Sequence, residues 1–238
     1  MNQMSRRAWL ISGAALVAIV VVVVLIVVSV SGGGNSSGNS TTAPNGATVA
    51  GATEVLALTK GIPQSGFEIG KASAPVTVRE FIDPQCPVCK TASVDAVRAL
   101  IKGPVRAGTA KLIIEPLTFI GSDSTTAALG IAAAAHQNRG FVYSDIMYAN
   151  QGTENSGWAT EDLLTGIASS IPGVDLGAWQ TARGAKAASD SLFATQDAGT
   201  AAGVNATPTF VITGPGGTKT LNGAIPGVQL VAAVTSLR

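Results

Sequence analysis

The chain has 238 residues, a formal net charge of +1 and only 12% charged residues. No acidic or basic field points to nucleic acid as a partner. Two cysteines and one histidine are too few for a structural zinc site of four Cys/His ligands, and neither a metal nor a cofactor is expected.

Residues 1–7 hold Arg6 and Arg7 and read as a cytoplasmic N-terminus. Residues 8–30 are almost wholly apolar and include the run Val20-Val21-Val22-Val23-Val24-Leu25-Ile26-Val27-Val28. About 20 apolar residues suffice to span a bilayer as a helix. The arginines precede this segment and no charge follows it until Glu54, which places the N-terminus in the cytoplasm and the remainder outside. A cleaved signal peptide is the alternative. Its apolar region is normally about 7–15 residues, shorter than this one, although Ser29-Val30-Ser31 is a small-x-small triplet that suits cleavage. Ser5-Arg6-Arg7-Ala8-Trp9-Leu10 also resembles a twin-arginine export signal. Residues 31–53 are Gly, Ser, Asn, Thr and Ala with little else. Such a stretch buries too little apolar surface to offset its chain entropy and reads as a flexible tether.

A globular domain is expected over residues 54–238. Val55 to Leu58 suggests a first strand or edge segment, and Gly61 to Ala74 a loop with Phe67 and Ile69 tucked inward. Val76 to Ile82 reads as a buried strand. A helix follows, with Val94, Val97, Leu100 and Ile101 on one face, kinked or ended by Gly103-Pro104. Ala110 to Glu115 is the next strand, and a crossover of this length implies a parallel pair. Alanine-rich helices are expected at Ser124 to Gln137, Phe141 to Ala149, Glu161 to Ser169 behind a Thr160 cap, Asp175 to Ala182 and Ala185 to Ala202. A hairpin of Thr209 to Thr213 and Thr218 to Leu221 turns at Gly214-Pro215-Gly216-Gly217, and a last helix covers Val228 to Leu237.

Both cysteines lie in Asp83-Pro84-Gln85-Cys86-Pro87-Val88-Cys89-Lys90, at the junction of strand and helix. Pro87 suits the first helical position, where its missing N–H costs nothing. A free thiol has a pKa of about 8.5. The unpaired N–H groups and dipole of a helix start favour an anion there and lower it. Cys86 thus reads as the attacking sulfur and Cys89, one turn deeper, as the resolving one. A static staple is the competing reading, but so short a ring removes little chain entropy.

The run Glu80-Phe81-Ile82-Asp83-Pro84-Gln85-Cys86-Pro87-Val88-Cys89-Lys90 resembles the active-site signature of the DsbA-like branch of the thioredoxin-fold thiol–disulfide oxidoreductases. Far downstream, Gly203-Val204-Asn205-Ala206-Thr207-Pro208-Thr209-Phe210 resembles the segment carrying that family's cis-proline. The resemblance covers about residues 54–238. It implies an α/β thioredoxin fold with a helical insertion at about 121–203, preceded here by the transmembrane helix and linker. It further implies a redox-active Cys86–Cys89 disulfide donated to exported protein thiols, and a cis Thr207–Pro208 bond beside the pair. Re-oxidation then falls to a quinone-linked membrane protein of the DsbB or vitamin-K-epoxide-reductase (VKOR) type. The resulting expectation is an extracytoplasmic, membrane-anchored oxidoreductase, with an isomerase or reductase, or a non-catalytic peptide-binding domain, as alternatives.

Two residues support the pair. The backbone of Thr207 can meet an extended client peptide as an added strand. Glu80 is a carboxylate in an apolar strand, where burial raises its pKa; the resemblance assigns it to assisting deprotonation of Cys89. An exposed Glu80 paired with Arg79 or Lys111 is the alternative. Asp83 reads as a turn former, and His136 as a solvated helix-end histidine. The family pattern has histidine where this chain has Val88, which implies a less acidic Cys86 and a weaker oxidant.

Overall fold

The computed structural model describes residues 41–42 and 48–238. The expected cytoplasmic and transmembrane segments at 1–7 and 8–30, and most of the expected linker, lie outside the described residues. No helix among the described residues is long and apolar enough to cross a membrane.

A six-stranded mixed sheet organises the domain, in the order β3-β4-β6-β5-β7-β8. The strands are β3 (Gln64–Ser65), β4 (Glu68–Gly70), β5 (Val76–Ile82), β6 (Ala110–Pro116), β7 (Thr209–Gly214) and β8 (Gly217–Asn222). A separate two-stranded ladder joins β1 (Thr41–Thr42) to β2 (Thr48–Val49). β5 runs parallel to β6, from Val76↔Ala110 to Ile82↔Pro116, and antiparallel to β7, from Thr77↔Thr213 to Phe81↔Thr209. It is paired on both edges; Thr77 and Arg79 are half-buried between buried neighbours, and burial becomes continuous from Glu80 to Ile82, where the strand approaches the cysteine turn. Val76, Val78, Phe81 and Ile82 are all buried.

Helix α1 (Ala52–Thr59) replaces the strand expected at Val55 to Leu58. Ala52, Val55 and Thr59 face inward at helical spacing, and Thr59 Oγ1 donates to the Val55 carbonyl. Four apolar residues in a row fit either period, and here the longer pattern decides. Residues 48–53, expected in the tether, belong to the folded body. Val49 is fully buried, and the amide of Asn150 exchanges two 2.9 Å bonds with the backbone of Ala50. The expected loop at Gly61 to Ala74 contains the β3–β4 hairpin, turned at Gly66 with φ 57 and seated on β6. Phe67 is half-buried and Ile69 fully buried.

Helix α2 covers 87–105. Its opening turns, Pro87–Ala92, lead into π-helical turns at Ser93–Val97 and Ile101–Val105 around a short α segment, Arg98–Leu100. Pro104 therefore does not end the helix. A proline lacks the N–H and crowds the carbonyl four residues back, and the wider π turn accommodates both. Between β6 and β7 come α3 (Ser122–Ala135), α4 (Gly140–Ala149), α5 (Glu161–Ser169), α6 (Leu176–Gly184) and α7 (Lys186–Ala201), so the sheet is interrupted by the expected helical insertion. Thr160 caps α5 by accepting from the Leu163 N–H. The Tyr143 and Trp179 rings stack with centroids 5.7 Å apart, and each polar tip finds a backbone carbonyl, Leu164 for Tyr143 and Gly130 for Trp179. A Cβ at Gly130 would lie 2.7 Å from the Tyr143 hydroxyl, so the closeness of α3 and α4 depends on that glycine. The last helix, α8 (Gly227–Ser236), packs along α2.

Candidate active site

β5 delivers the chain to the start of α2, and Cys86 is the N-cap of that helix in extended backbone. Its Sγ accepts the Cys89 N–H at 3.4 Å and, as a thiol, donates to the Thr207 carbonyl at 3.4 Å. Pro87 occupies the first helical position. Both cysteines are free thiols in this structure; 6% of the Cys86 surface is exposed and none of Cys89.

The two sulfurs are driven apart in acidity. The Cys86 pKa is lowered to about 6. The hydrogen bond from Cys89 contributes most, partial burial opposes it, and the Thr207 side chain and the Cys89 and Val88 backbone N–H groups add to the lowering. Cys89 is pushed well above the ordinary thiol value, first by burial and then by its hydrogen bond to Cys86 and the charge there. An ionised outer sulfur beside a protonated inner one is the electronic arrangement that a nucleophile and its resolving partner need. The lowering occurs without a histidine at position 88, because Cys89 and the helix start supply the donors.

The Thr207–Pro208 bond is cis, and Pro208 is buried at the head of β7. Its carbonyl accepts from Gly223 N–H at 2.8 Å, which fixes the segment against the end of β8.

Glu80 lies on β5 between Ile114 of β6 and Phe210 of β7, with 3% of its surface exposed. The alternative of an exposed, ion-paired Glu80 does not hold. Arg79 pairs with Glu115 at 2.6 Å, and Lys111 with Glu68 at 2.9 Å. Burial, and secondarily the charge of Asp145, raise the Glu80 pKa to about 8.

Sequence reasoning missed the frame that holds the cysteine turn. Asp83 is fully buried and is more than a turn former. Its Oδ1 accepts from the Gln85 N–H at 2.8 Å and from Ser124 Oγ at 2.6 Å. Its Oδ2 accepts from the N–H groups of Phe119 and Ile120 at 2.7 and 3.1 Å. Gln85 is also buried; its Nε2 donates to Ser124 Oγ and Asn155 Oδ1, and its Oε1 accepts from the Asn155 N–H. Gln151 Nε2 donates to the carbonyls of Pro84 and Cys86, and the Tyr148 hydroxyl to that of Asp83. Ser124, Tyr148, Gln151 and Asn155 all come from the helical insertion, 39 to 70 positions from their partners. The only local hint was a buried-strand pattern running straight into polar Asp83 and Gln85. His136 is exposed at the end of α3 and takes no part.

The family model for Thioredoxin matches residues 64–221. Over 111 residues the chain is 35% identical to the "Probable disulfide bond formation protein D" of Bacillus cereus and 32% identical to that of Bacillus anthracis. In each case the match takes in 45% of this chain and 51% of the relative, so the chain spans about half the length of these curated relatives. Among solved structures, oxidised BdbD from Bacillus subtilis superposes with a TM-score of 0.64 at 21% identity, covering 73% of this chain and 94% of that one. DsbA from Chlamydia trachomatis superposes with a TM-score of 0.63 at 23% identity, covering 75% and 92%. At these identities the likeness to the solved structures is one of fold.

Proposed function

This chain belongs to the thioredoxin family, and from that premise we propose that it is an extracytoplasmic thiol–disulfide oxidoreductase that donates a Cys86–Cys89 disulfide to exported proteins. The observation that carries the reading is the split between the sulfurs. Cys86 caps α2 with its pKa lowered to about 6, while Cys89, fully buried one turn on, is pushed well up.

In the oxidised form a client thiolate attacks Cys86 Sγ. The Cys86–Cys89 bond breaks, a client–Cys86 disulfide forms, and Cys89 leaves and is protonated. A second client thiolate then attacks the client sulfur and expels Cys86 as the thiolate. The client gains a disulfide and the protein holds two thiols, so the electron pair rests on Cys86 and Cys89. Attack by Cys89 on the mixed disulfide instead restores the ring and returns the client thiol. Because Cys86 is the more acidic sulfur, it is the better leaving group from the mixed disulfide. Thr207 and the cis Pro208 border the reacting sulfur and offer backbone to an extended client. Glu80 gives a proton to Cys89 as it leaves and takes one when it attacks.

Anchoring by residues 8–30, an N-terminus in the cytoplasm and the domain outside complete the reading, since disulfides persist in that compartment. A quinone-linked membrane oxidant of the DsbB or VKOR type would return Cys86 and Cys89 to the disulfide. A reductase or isomerase is the second reading, favoured by Val88 in place of histidine and by threonine before Pro208.

Two experiments test this. A Cys89→Ser variant accumulates mixed disulfides with exported proteins if the site exchanges thiols, and none if the domain only binds peptides. Alkylation of the wild-type chain in cells finds Cys86 oxidised at rest for the oxidase. A resting thiol assigns the reductase or isomerase role.

A further inference from the structure

One turn along α2 from Cys89 lies a buried polar cluster that the mechanism above uses only in part. Ser93, whose N–H donates to the Cys89 carbonyl, lines a small cavity of about 10 Å³ together with Glu80, Asp145 and Tyr148 and the apolar side chains of Ile82 and Ile114. A cavity of roughly this size holds one water molecule if two or more polar groups face it. Asp145 comes from α4, within the helical insertion, and is 5% exposed. Its Oδ1 accepts a hydrogen bond from Ser93 Oγ, and its Oδ2 has no hydrogen-bond partner among the described residues. A buried carboxylate oxygen left unpaired is costly, and here it belongs to a residue that lines a water-sized space shared with a second carboxyl.

We propose that Glu80 and Asp145 form a buried pair joined by one water in this cavity, with the proton on Glu80 and the negative charge on Asp145, and that Asp145 is a positioning residue that keeps Glu80 loaded for Cys89. The inference rests on the reading of Glu80 as proton carrier and adds the group that sets its charge. Two carboxyls sharing a buried, low-dielectric site do not both ionise near neutral pH. The surroundings decide which one keeps the proton. Burial raises the pKa of Asp145 too, but the Ser93 hydroxyl as donor and the Arg98 guanidinium of α2 as a nearby charge oppose that rise and favour its ionised form. Glu80, on β5, faces the charge of Asp145, and among the described residues its neighbouring cations Arg79 and Lys111 are paired with Glu115 and Glu68 instead. Tyr148, also on α4, lies close enough to feel Glu80, Cys89, Asp83 and Cys86 and bonds the Asp83 carbonyl, so it closes the cluster toward the sulfurs.

The step balances within the chain and its client. When a client thiolate breaks the Cys86–Cys89 bond, the Cys89 thiolate takes the proton that Glu80 holds. When Cys89 later attacks the mixed disulfide, its proton returns to Glu80, and no electrons leave the two sulfur pairs.

The test is infrared spectroscopy of the full chain in its dithiol form, following the carbonyl band of a protonated buried carboxyl as pH rises, beside the pH–rate profile for opening of the Cys86–Cys89 ring. The expected result is one band that titrates away near pH 8 and vanishes in Glu80→Gln. In Asp145→Asn its midpoint falls by about one pH unit or more, since the like charge is gone, and the rate profile moves with it. The alkylation midpoint of Cys86 stays in place. Ser93→Ala is smaller and perturbs the fold least. It deletes the donor to Asp145, draws the proton toward that carboxyl and likewise lowers the Glu80 midpoint. A midpoint that stays put in both variants, or a wild-type chain with no such band at neutral pH, overturns the proposal. A chain that exchanges no thiols at any pH overturns the proposed function instead, and the infrared titration still reads the pair.

Discussion

The hydroxyl of Ser124 donates to Oδ1 of Asp83 at 2.6 Å and ties the first turn of α3 to the loop that presents the cysteines. With the backbone N–H groups of Gln85, Phe119 and Ile120, it makes Asp83 the acceptor of four bonds at a fully buried position. Removing the carboxylate would leave those donors facing a dry space. Asp83→Ala is therefore expected to destabilise the domain by about 2–4 kcal/mol, since each buried group left unpaired costs about 1–3 kcal/mol and some recover water. Asp83→Asn keeps the shape and one acceptor oxygen and should cost less than half as much. Urea unfolding midpoints measure both. An Asp83→Ala chain as stable as the parent would show that the turn holds itself.

Cys86 and Cys89 should respond to pH as two different reagents. Cys86 is expected to react with iodoacetamide with a midpoint near pH 6, because its thiolate is held by hydrogen bonds from Cys89 and the helix start. Cys89, buried and pushed up, should remain unmodified through pH 8 in the folded protein. In Cys89→Ser the serine hydroxyl can replace the thiol as donor, so the Cys86 midpoint should rise by less than in Cys89→Ala. Equal rates for both thiols in the wild type would remove the distinction between attacking and resolving sulfur.

The strand Val76–Ile82, the cysteine turn, the helix after it and the cis Thr207–Pro208 bond are all where the sequence points. Each is written locally, in a hydrophobic run, a proline at a helix start or a motif of a few residues. What escaped is what depends on partners far along the chain. Asp83 was readable only as a turn former, because its donors sit at 119, 120 and 124. Asp145 falls in the helix expected at Phe141 to Ala149, but nothing local shows that α4 is buried along nearly its whole length. The segment at Val55 to Leu58 was misread because four apolar residues fit two periods, and only the packing of Ala52 and Thr59 decides between them.

Glu80 should impose a pH dependence on stability. Its folded pKa is about 8 against an ordinary carboxyl value of 4.5. Between those values the native state holds a proton that the unfolded chain releases. Stability from this group is complete below the unfolded value and is lost as pH rises toward the folded one, at up to about 1.4 kcal/mol per pH unit. Glu80→Gln removes the titration. It should stabilise the domain by roughly 2–3 kcal/mol at pH 7 and flatten the slope between about pH 5 and 8, while slowing ring opening. Denaturation at a series of pH values checks this, and a parallel pair of stability curves would mean that Glu80 is solvated.

Val88 occupies the second position of α2, with 42% of its surface exposed and its N–H directed to the Cys86 sulfur. A histidine there would sit at the water-facing rim, within a few ångströms of the thiolate. A unit charge at such a distance, at a dielectric between protein and water, is worth about 1 kcal/mol, or roughly 0.7 of a pKa unit. The helix dipole opposes a cation at this end and trims the gain. Val88→His is therefore expected to move the Cys86 midpoint below about 6. By favouring the reduced form it should also make the couple more oxidising by about 20 mV. The gain should fade above about pH 7 as the imidazole loses its proton, which distinguishes charge from packing. Val88→Phe, similar in bulk and uncharged, should leave the midpoint alone. If both variants shift it alike, the effect is one of shape, and the missing histidine does not set the oxidising strength of this site.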